Sequence, residues 1–291
     1  MDIREIDVAD DAGMAEMYAV DTRSSHLGRE SMPQWTEQEF LGAYRSSDSG
    51  ERQVVLGAFD DETLVGFASI WFPLLDNLDK VYLDLHVDPP RRRQGVGRAL
   101  LAEVEERARA DRRTLVLTAA KIPSGQRESH PYRRFADACG FEFSNVEVVR
   151  HLALPIPDER LQGWLDSAAE RHEGYTVTTY VDEFPDELAA SLCVLMGQLA
   201  VDAPTGAVEF EEEDFNTERL KERYATAAAM DRSLYETVAL AADGTVAAQS
   251  TLAVAKGDGT DVFQWGTFVH REHRGHRLGL AAKVANIRAV Q

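Results

Sequence analysis

The chain has 291 residues, enough for two domains of ordinary size, and its 44% hydrophobic content can bury real cores and excludes a disordered chain. Lys and Arg number 31 against 50 Asp and Glu, a formal net charge of −19 that repels nucleic acid and anionic membrane surfaces, so neither is expected as a main partner. The only two cysteines, Cys139 and Cys193, imply neither a disulfide framework nor a zinc site. The start, MDIREIDVADDAGM, lacks the apolar core of a secretion signal, and no stretch is long and apolar enough for a bilayer, so cytoplasm is the expected location.

In chain order, apolar runs predict strands at Ile3–Asp7, Gln53–Asp60, Leu64–Phe72, Val81–Val87 and Thr114–Ala119. Turn chemistry at Asp60, Asp61 and Glu62 joins the second and third as a hairpin. Helical periodicity covers Ala12–Val20 and resumes from Gly95, where Val96, Leu100, Val104 and Ala108 recur every four residues. A later helix ends at DACGFEF with Gly140 as its cap, and Val146–Leu154 reads as a closing strand. The prolines of LPIPDER mark a linker with a helix at Asp158–Glu170. Beyond it come a strand at Tyr175–Tyr180, a helix after Pro185, an acidic loop EFEEEDFN and a helix from Asn216. Strands at Tyr235–Ala241, Val246–Ala255 and Val262–Val269 precede a helix from Arg277.

An internal repeat organises these elements. At an offset of 182, Asp61 falls on Asp243, Thr63 on Thr245, Val87 on Val269, Arg92 on Arg274, Gly97 on Gly279 and Ala99 on Ala281. One mixed-sheet α/β unit is therefore expected twice: residues 1–154, a linker and helix at 155–173, and residues 174–291. The chain ends at the counterpart of Arg109, so residues 110–154 have no second copy; the second unit is expected to be incomplete at its C-terminus, with the natural protein continuing.

The chemistry gathers in VDPPRRRQGVGRALL, residues 87–101. A strand entering a helix through a short loop leaves the first helical N–H groups free to cradle an anion. Gly95 and Gly97 let the backbone approach it, and Arg91, Arg92, Arg93 and Arg98 add positive charge. The implied ligand is a pyrophosphate or nucleotide anion. No G-x-x-x-x-G-K-[ST] occurs, and Leu100 stands where a dinucleotide fold wants Gly or Ala, which disfavours a P-loop nucleotidase and a hydride-transfer enzyme.

This stretch resembles motif A of the GCN5-related N-acetyltransferases (GNATs), Q/R-x-x-G-x-G/A after a strand ending V-x-P, with Arg92, Gly95 and Gly97 at the matching positions. FADACGFEF resembles the family's motif B, and VHREHRGHRLGLAAK resembles motif A of tandem actinobacterial members, a layout shared with mycothiol synthase. The resemblance implies acetyl-CoA as cosubstrate, a small-molecule primary amine as acceptor, and direct attack of that amine on the thioester, by a monomer or homodimer. The pantetheine arm is implied along Leu85 and Val87. The pyrophosphate is implied over Arg92, Arg93, Gln94, Gly95, Val96, Gly97 and Arg98, with Val269, Arg274, Gly275, His276, Arg277 and Gly279 as the second copy.

Two departures stand out. The family's acidic tyrosine position is Ala136 here, leaving Tyr132 one turn earlier as substitute; Arg277 replaces the first glycine of the second motif, with Gly275 two positions before it. Candidate bases are Asp84 and His86, on one face of a strand by its period of two; ordinary strand packing is the competing reading for both. His270, His273 and His276 lack a carboxylate or cysteine at metal spacing, so no metal is expected. Trp71, Phe72 and Trp265 are candidates for an acceptor pocket or for core. The alternative to an enzyme is a tandem acyl-CoA-binding module with one or both units catalytically degenerate.

Overall fold

The computed structural model describes residues 1–29, 33–257 and 261–291. The chain divides into two units, Met1–Arg45 with Ser49–Ser144, and Asn145–Gln291 with Ser46–Asp48.

The first unit runs β1 (Asp2–Glu5), α1 (Asp11–His26), α2 (Glu37–Arg45), β2 (Glu51–Asp60), β3 (Thr63–Pro73), β4 (Lys80–Val87), α3 (Val96–Ala110), β5 (Leu115–Thr118) and α4 (Pro131–Ala138). Its sheet has the order β1-β2-β3-β4-β5, antiparallel except for the parallel pair β4–β5. Strand alternation separates two cores. On one face α3 inserts Val96, Leu100, Val104 and Ala108 against Val81, Leu83, Ile70 and Leu56. On the other, Met14, Met17 and Val20 of α1 and Phe40 and Tyr44 of α2 pack on Val55, Leu64 and Phe67.

Asp10 caps α1, accepting from the Ala12 and Gly13 amides, and α1 continues through His26, past the expected Val20. The sequence reading omitted α2, yet Thr36 and Glu39 form its capping box: the Thr36 amide donates to Glu39 Oε2 at 2.7 Å and the Glu39 amide to Thr36 Oγ1 at 3.2 Å. The strand expected at Val146–Leu154 does not form. Val148, Val149 and Leu152 stay exposed, because alternation makes a strand only where a second edge supplies hydrogen bonds.

The second unit runs α5 (Asp158–Asp166), β6 (Thr176–Val181), α6 (Asp186–Gly197), α7 (Leu199–Asp202), α8 (Thr217–Ala229), β7 (Arg232–Leu240), β8 (Val246–Ala255), β9 (Val262–Val269) and α9 (Leu278–Val290). The expected helix Asp158–Glu170 is split, with a 3-10 turn at Ala169–Arg171 following α5. The sheet order is β6-β7-β8-β9, all antiparallel. The offset of 182 maps β4 onto β9 and the first residue of α3 onto that of α9. It also maps a bond: Asp88 N–H to Val65 O at 3.0 Å becomes His270 N–H to Ala247 O at 2.9 Å.

Candidate acyl-transfer site

Strand β4 is half covered. β5 pairs with it only from Lys80↔Leu115 to Leu83↔Thr118, whereas β3 accompanies it to Val87. Asp88 N–H turns toward β3, so by the strand's period of two the backbone groups of Leu85 and Val87 face the side β5 has left. That open edge can hydrogen-bond an extended ligand. Part of it is already used, since the Val87 carbonyl accepts from Arg92 Nε at 3.2 Å.

The edge runs into the arginine–glycine loop. A 3-10 turn at Pro89–Arg91 ends the strand, and Gly95 is the N-terminal cap of α3 at φ +90°, with nothing within 4 Å of where a Cβ would stand. Ala99 N–H is the first to return to Gly95 O, so the preceding α3 amides have no intrahelical acceptor. Gly97 serves packing instead: a Cβ there would lie 3.1 Å from the Phe135 ring of α4. Val96 is buried in the α3 core and offers the loop only its backbone.

The arginines divide their work. Arg91 pairs with Asp60 at 2.8 Å, and Arg98 donates to Ala138 O at 3.1 Å. Arg92 donates to the carbonyls of Val87 and Ser24 and, at 3.3 Å, to Tyr132 Oη. Gln94 closes the loop on Pro90 O. Arg93, exposed at φ +64°, has no hydrogen-bond or ion-pair partner among the described residues. Arg93 is therefore the loop arginine left without a partner among the described residues, beside the open α3 amides, while Arg92 ties the loop to α1 and α4.

Asp84 and His86 do meet, with Asp84 Oδ2 3.1 Å from His86 Nε2. The ring lies flat on Phe67 at 4.7 Å between centroids, and its other nitrogen faces α1: Ser24 Oγ at 2.8 Å and Asp21 Oδ1 at 3.3 Å. Ser24 Oγ spends its own proton on Asp21 O at 3.0 Å, so it accepts from His86 Nδ1–H. Nε2 is then the basic nitrogen, and it shares one proton with Asp84. Burial opposes the charged ring, but Asp84 and Asp21 outweigh it and hold His86 above the usual histidine value. Burial likewise opposes ionisation of Asp84, yet His86 and Lys121 bring its carboxyl below the ordinary range. Asp21 goes the other way, raised by burial.

Tyr132 lies near this cluster through Ser24, whose carbonyl accepts from Tyr132 Oη at 3.1 Å. His130 caps α4, accepting from the Tyr132 amide; burial, with Arg29, Arg92 and Arg134, depresses its pKa and keeps that acceptor neutral. Sequence reasoning missed Asp21 and Ser24. They carry no motif, and 62 residues separate Ser24 from His86.

In the second unit the copied loop has the same backbone and different partners. Gly275 at φ +89° and Arg277 at φ +53° repeat the left-handed positions of Arg93 and Gly95, so glycine and arginine have exchanged places. Gly279 approaches Val269 as Gly97 approaches Val87: a Cβ on either glycine would lie 3.5 Å from the valine Cγ2. Arg274 pairs with Asp202 at 2.7 Å, Arg271 with Asp202 and Glu212, and His276 Nδ1 bonds Arg171 O at 2.8 Å. At the offset, Gly266 and Phe268 stand where the first unit has Asp84 and His86. Of the candidate aromatics, Phe72 is core, while Trp265 is part exposed under Arg223. Among the described residues no group of His, Cys, Asp and Glu could hold a metal, and no helix is long and apolar enough to cross a membrane.

Residues 14–141 match the family model described as the Acetyltransferase (GNAT) family, spanning α1, the β4–α3 loop and α4. A tandem GNAT protein from the clavulanic acid biosynthesis pathway, solved without AcCoA, matches 99% of this chain and 85% of its own at 24% identity and a TM-score of 0.69. The first unit carries the GNAT family match, and the whole chain has the fold of a tandem GNAT protein. The likeness extends to a GCN5-related N-acetyltransferase from Sphaerobacter thermophilus, at 15% identity and TM-score 0.57 over 99% of this chain and 82% of that one. A glucosamine N-acetyltransferase region of a fungal multi-domain β-N-acetylglucosaminidase gives 14% identity and 0.63 over 99% and 34%. No curated protein matches the sequence. GNAT members are acyltransferases that bind acetyl-CoA, and the first unit fits that group: the open β4 edge suits pantetheine amides, and the uncrowded Gly95 with free α3 amides suits a pyrophosphate.

Proposed function

We propose that this GNAT protein is an N-acetyltransferase that moves an acetyl group from acetyl-CoA to the primary amine of a small molecule, with the chemistry in the first unit. The observation that carries the reading is the Asp84–His86 pair at the uncovered half of β4. Leu85 and Val87, with the loop of Arg92, Arg93, Gln94, Gly95, Val96, Gly97 and Arg98, hold the cosubstrate, Arg93 and the α3 amides meeting its pyrophosphate. When bound, acetyl-CoA supplies a thioester carbonyl to the incoming amine.

An ammonium has no lone pair to attack with, so the acceptor must first lose a proton. Asp84, half exposed, receives the ammonium N–H, and the proton passes to His86 Nε2 while Nδ1–H stays on Ser24. The nitrogen–carbon bond then forms as the carbon–sulfur bond breaks. Tyr132 Oη, held by Arg92, is the candidate to return a proton to the departing sulfur.

The second unit supports a different reading for itself. With Gly266 and Phe268 at the base positions and Arg274 held by Asp202, it is an acyl-CoA-binding or scaffold unit rather than a second catalyst. Release of CoA thiol across a broad panel of primary amines tests the whole assignment. Turnover abolished by His86→Asn supports it; tight CoA binding with no turnover on any amine would replace it with a tandem acyl-CoA-binding module.

A further inference from the structure

Two cations beside the Asp84–His86 pair, Arg29 and Lys121, form no ion pair among the described residues. Arg29, just past α1, donates from Nη1 to Lys121 O at 3.0 Å and lies over the Tyr132 ring at 4.9 Å. Among the described residues its buried Nε has no hydrogen-bond partner, and no carboxylate lies within ion-pair distance of its guanidinium or of the Lys121 ammonium. In a chain of net charge −19, a half-buried guanidinium left without a carboxylate calls for an explanation. It also belongs to the site: contacts run from His86 to Ser24, from the Ser24 carbonyl to Tyr132, from the Tyr132 ring to Arg29 and from Arg29 to Lys121. Arg29 is close enough to His86, and Lys121 to Asp84, for their charges to be felt there.

The site therefore has a negative pole, Asp84 with Asp21, and a positive pole, Arg29 with Lys121. We infer that the acceptor is an amine that carries its own anionic group, a carboxylate or a phosphate, with the ammonium on Asp84 and the anion on Arg29 and Lys121. A planar guanidinium with an open edge suits either oxyanion. The inference deepens the acetyl-transfer reading and rests on it for the location of the acceptor.

Binding in the presence of CoA tests it without needing turnover. Calorimetry would use amino acids with one to four carbons between amine and carboxylate, each paired with its carboxamide, and the matching aminoalkyl phosphates. At least one anionic member should bind ten or more times tighter than its neutral partner. Arg29→Gln should erase that preference while CoA affinity persists, and Lys121→Gln, at an exposed position, should reduce it in a protein whose folding is not in question. The carboxylate and phosphate arms then tell which oxyanion is preferred. Equal affinity for anionic and neutral partners, or a preference untouched by both substitutions, overturns the proposal even if amines are acetylated. Arg29-dependent binding without acetyl transfer leaves it standing and removes the transferase reading instead.

Discussion

Gly95 and Arg277 fill the same left-handed position, the cap residue of the helix after each anion loop, at φ +90° and +53°. A side chain in that region costs about 1–2 kcal/mol through its Cβ, and nothing else crowds Gly95. Gly95→Ala should therefore destabilise the first unit by about 1–2 kcal/mol from backbone strain alone. Arg277→Gly should relieve strain in the second and leave it unchanged or up to about 1 kcal/mol more stable. Thermal unfolding of both variants checks this; a marked loss in Arg277→Gly would show that its side chain contributes more than its backbone costs.

Acetyl transfer should rise with pH through an apparent value above the ordinary histidine range of about 6.5, because His86 must lose its proton to act and its two carboxylates resist that loss. Asp84→Asn removes the nearer carboxylate and leaves burial to dominate, so the acid limb should move to lower pH while kcat falls by about 100-fold or more. A pH–rate profile whose acid limb stays in place in the variant would remove His86 as the titrating group.

Tyr132→Phe should lower kcat by less than about tenfold, because a thiol with a pKa near 8.5 leaves readily without an acid. A larger fall in kcat at unchanged KM would make Tyr132 the main proton donor. Steady-state kinetics at saturating acetyl-CoA separates the two.

Glu236 is fully buried in the second unit, 3.1 Å from Arg223 Nη1 and bonded to Thr251. Burial raises its pKa although Arg223 and Thr251 oppose it. The native state then holds the proton more tightly than the unfolded chain, so this residue's contribution to stability declines as pH rises through the folded value. Arg223→Leu leaves the carboxylate unpaired and should cost up to about 3–5 kcal/mol, more at pH 8 than at pH 5. Urea unfolding at the two pH values measures it, and an equal loss at both would mean that Glu236 does not ionise there.

Asp202→Asn should strengthen CoA binding by the second unit, since it frees the Arg274 guanidinium and releases Arg271 from one of its two carboxylates. Calorimetry would show a second or tighter CoA event. An unchanged isotherm would mean that this loop takes no pyrophosphate even with Arg274 freed.

The sequence by itself was sufficient wherever the determining chemistry is local. The period of two put Asp84 and His86 on one face, apolar positions four apart gave α3, and the repeat at 182 fixed β9 and the start of α9 from β4 and α3. The capping box at Thr36 and Glu39 was equally local, and its helix could have been read from it. Val146–Leu154 shows the limit of local pattern, because alternation describes a strand without supplying its partner. Tertiary structure alone decided what the charged groups do. It brought Ser24 and Asp21 from α1 to His86, bonded Arg92 to the carbonyls of Val87 and Ser24, neutralised Arg274 with Asp202 and left Arg29 without an ion pair among the described residues. The physical reason is range: backbone preference is set by neighbours in the chain, whereas a charge takes its role from whichever groups folding brings within a few ångströms, and no spacing in the sequence records them.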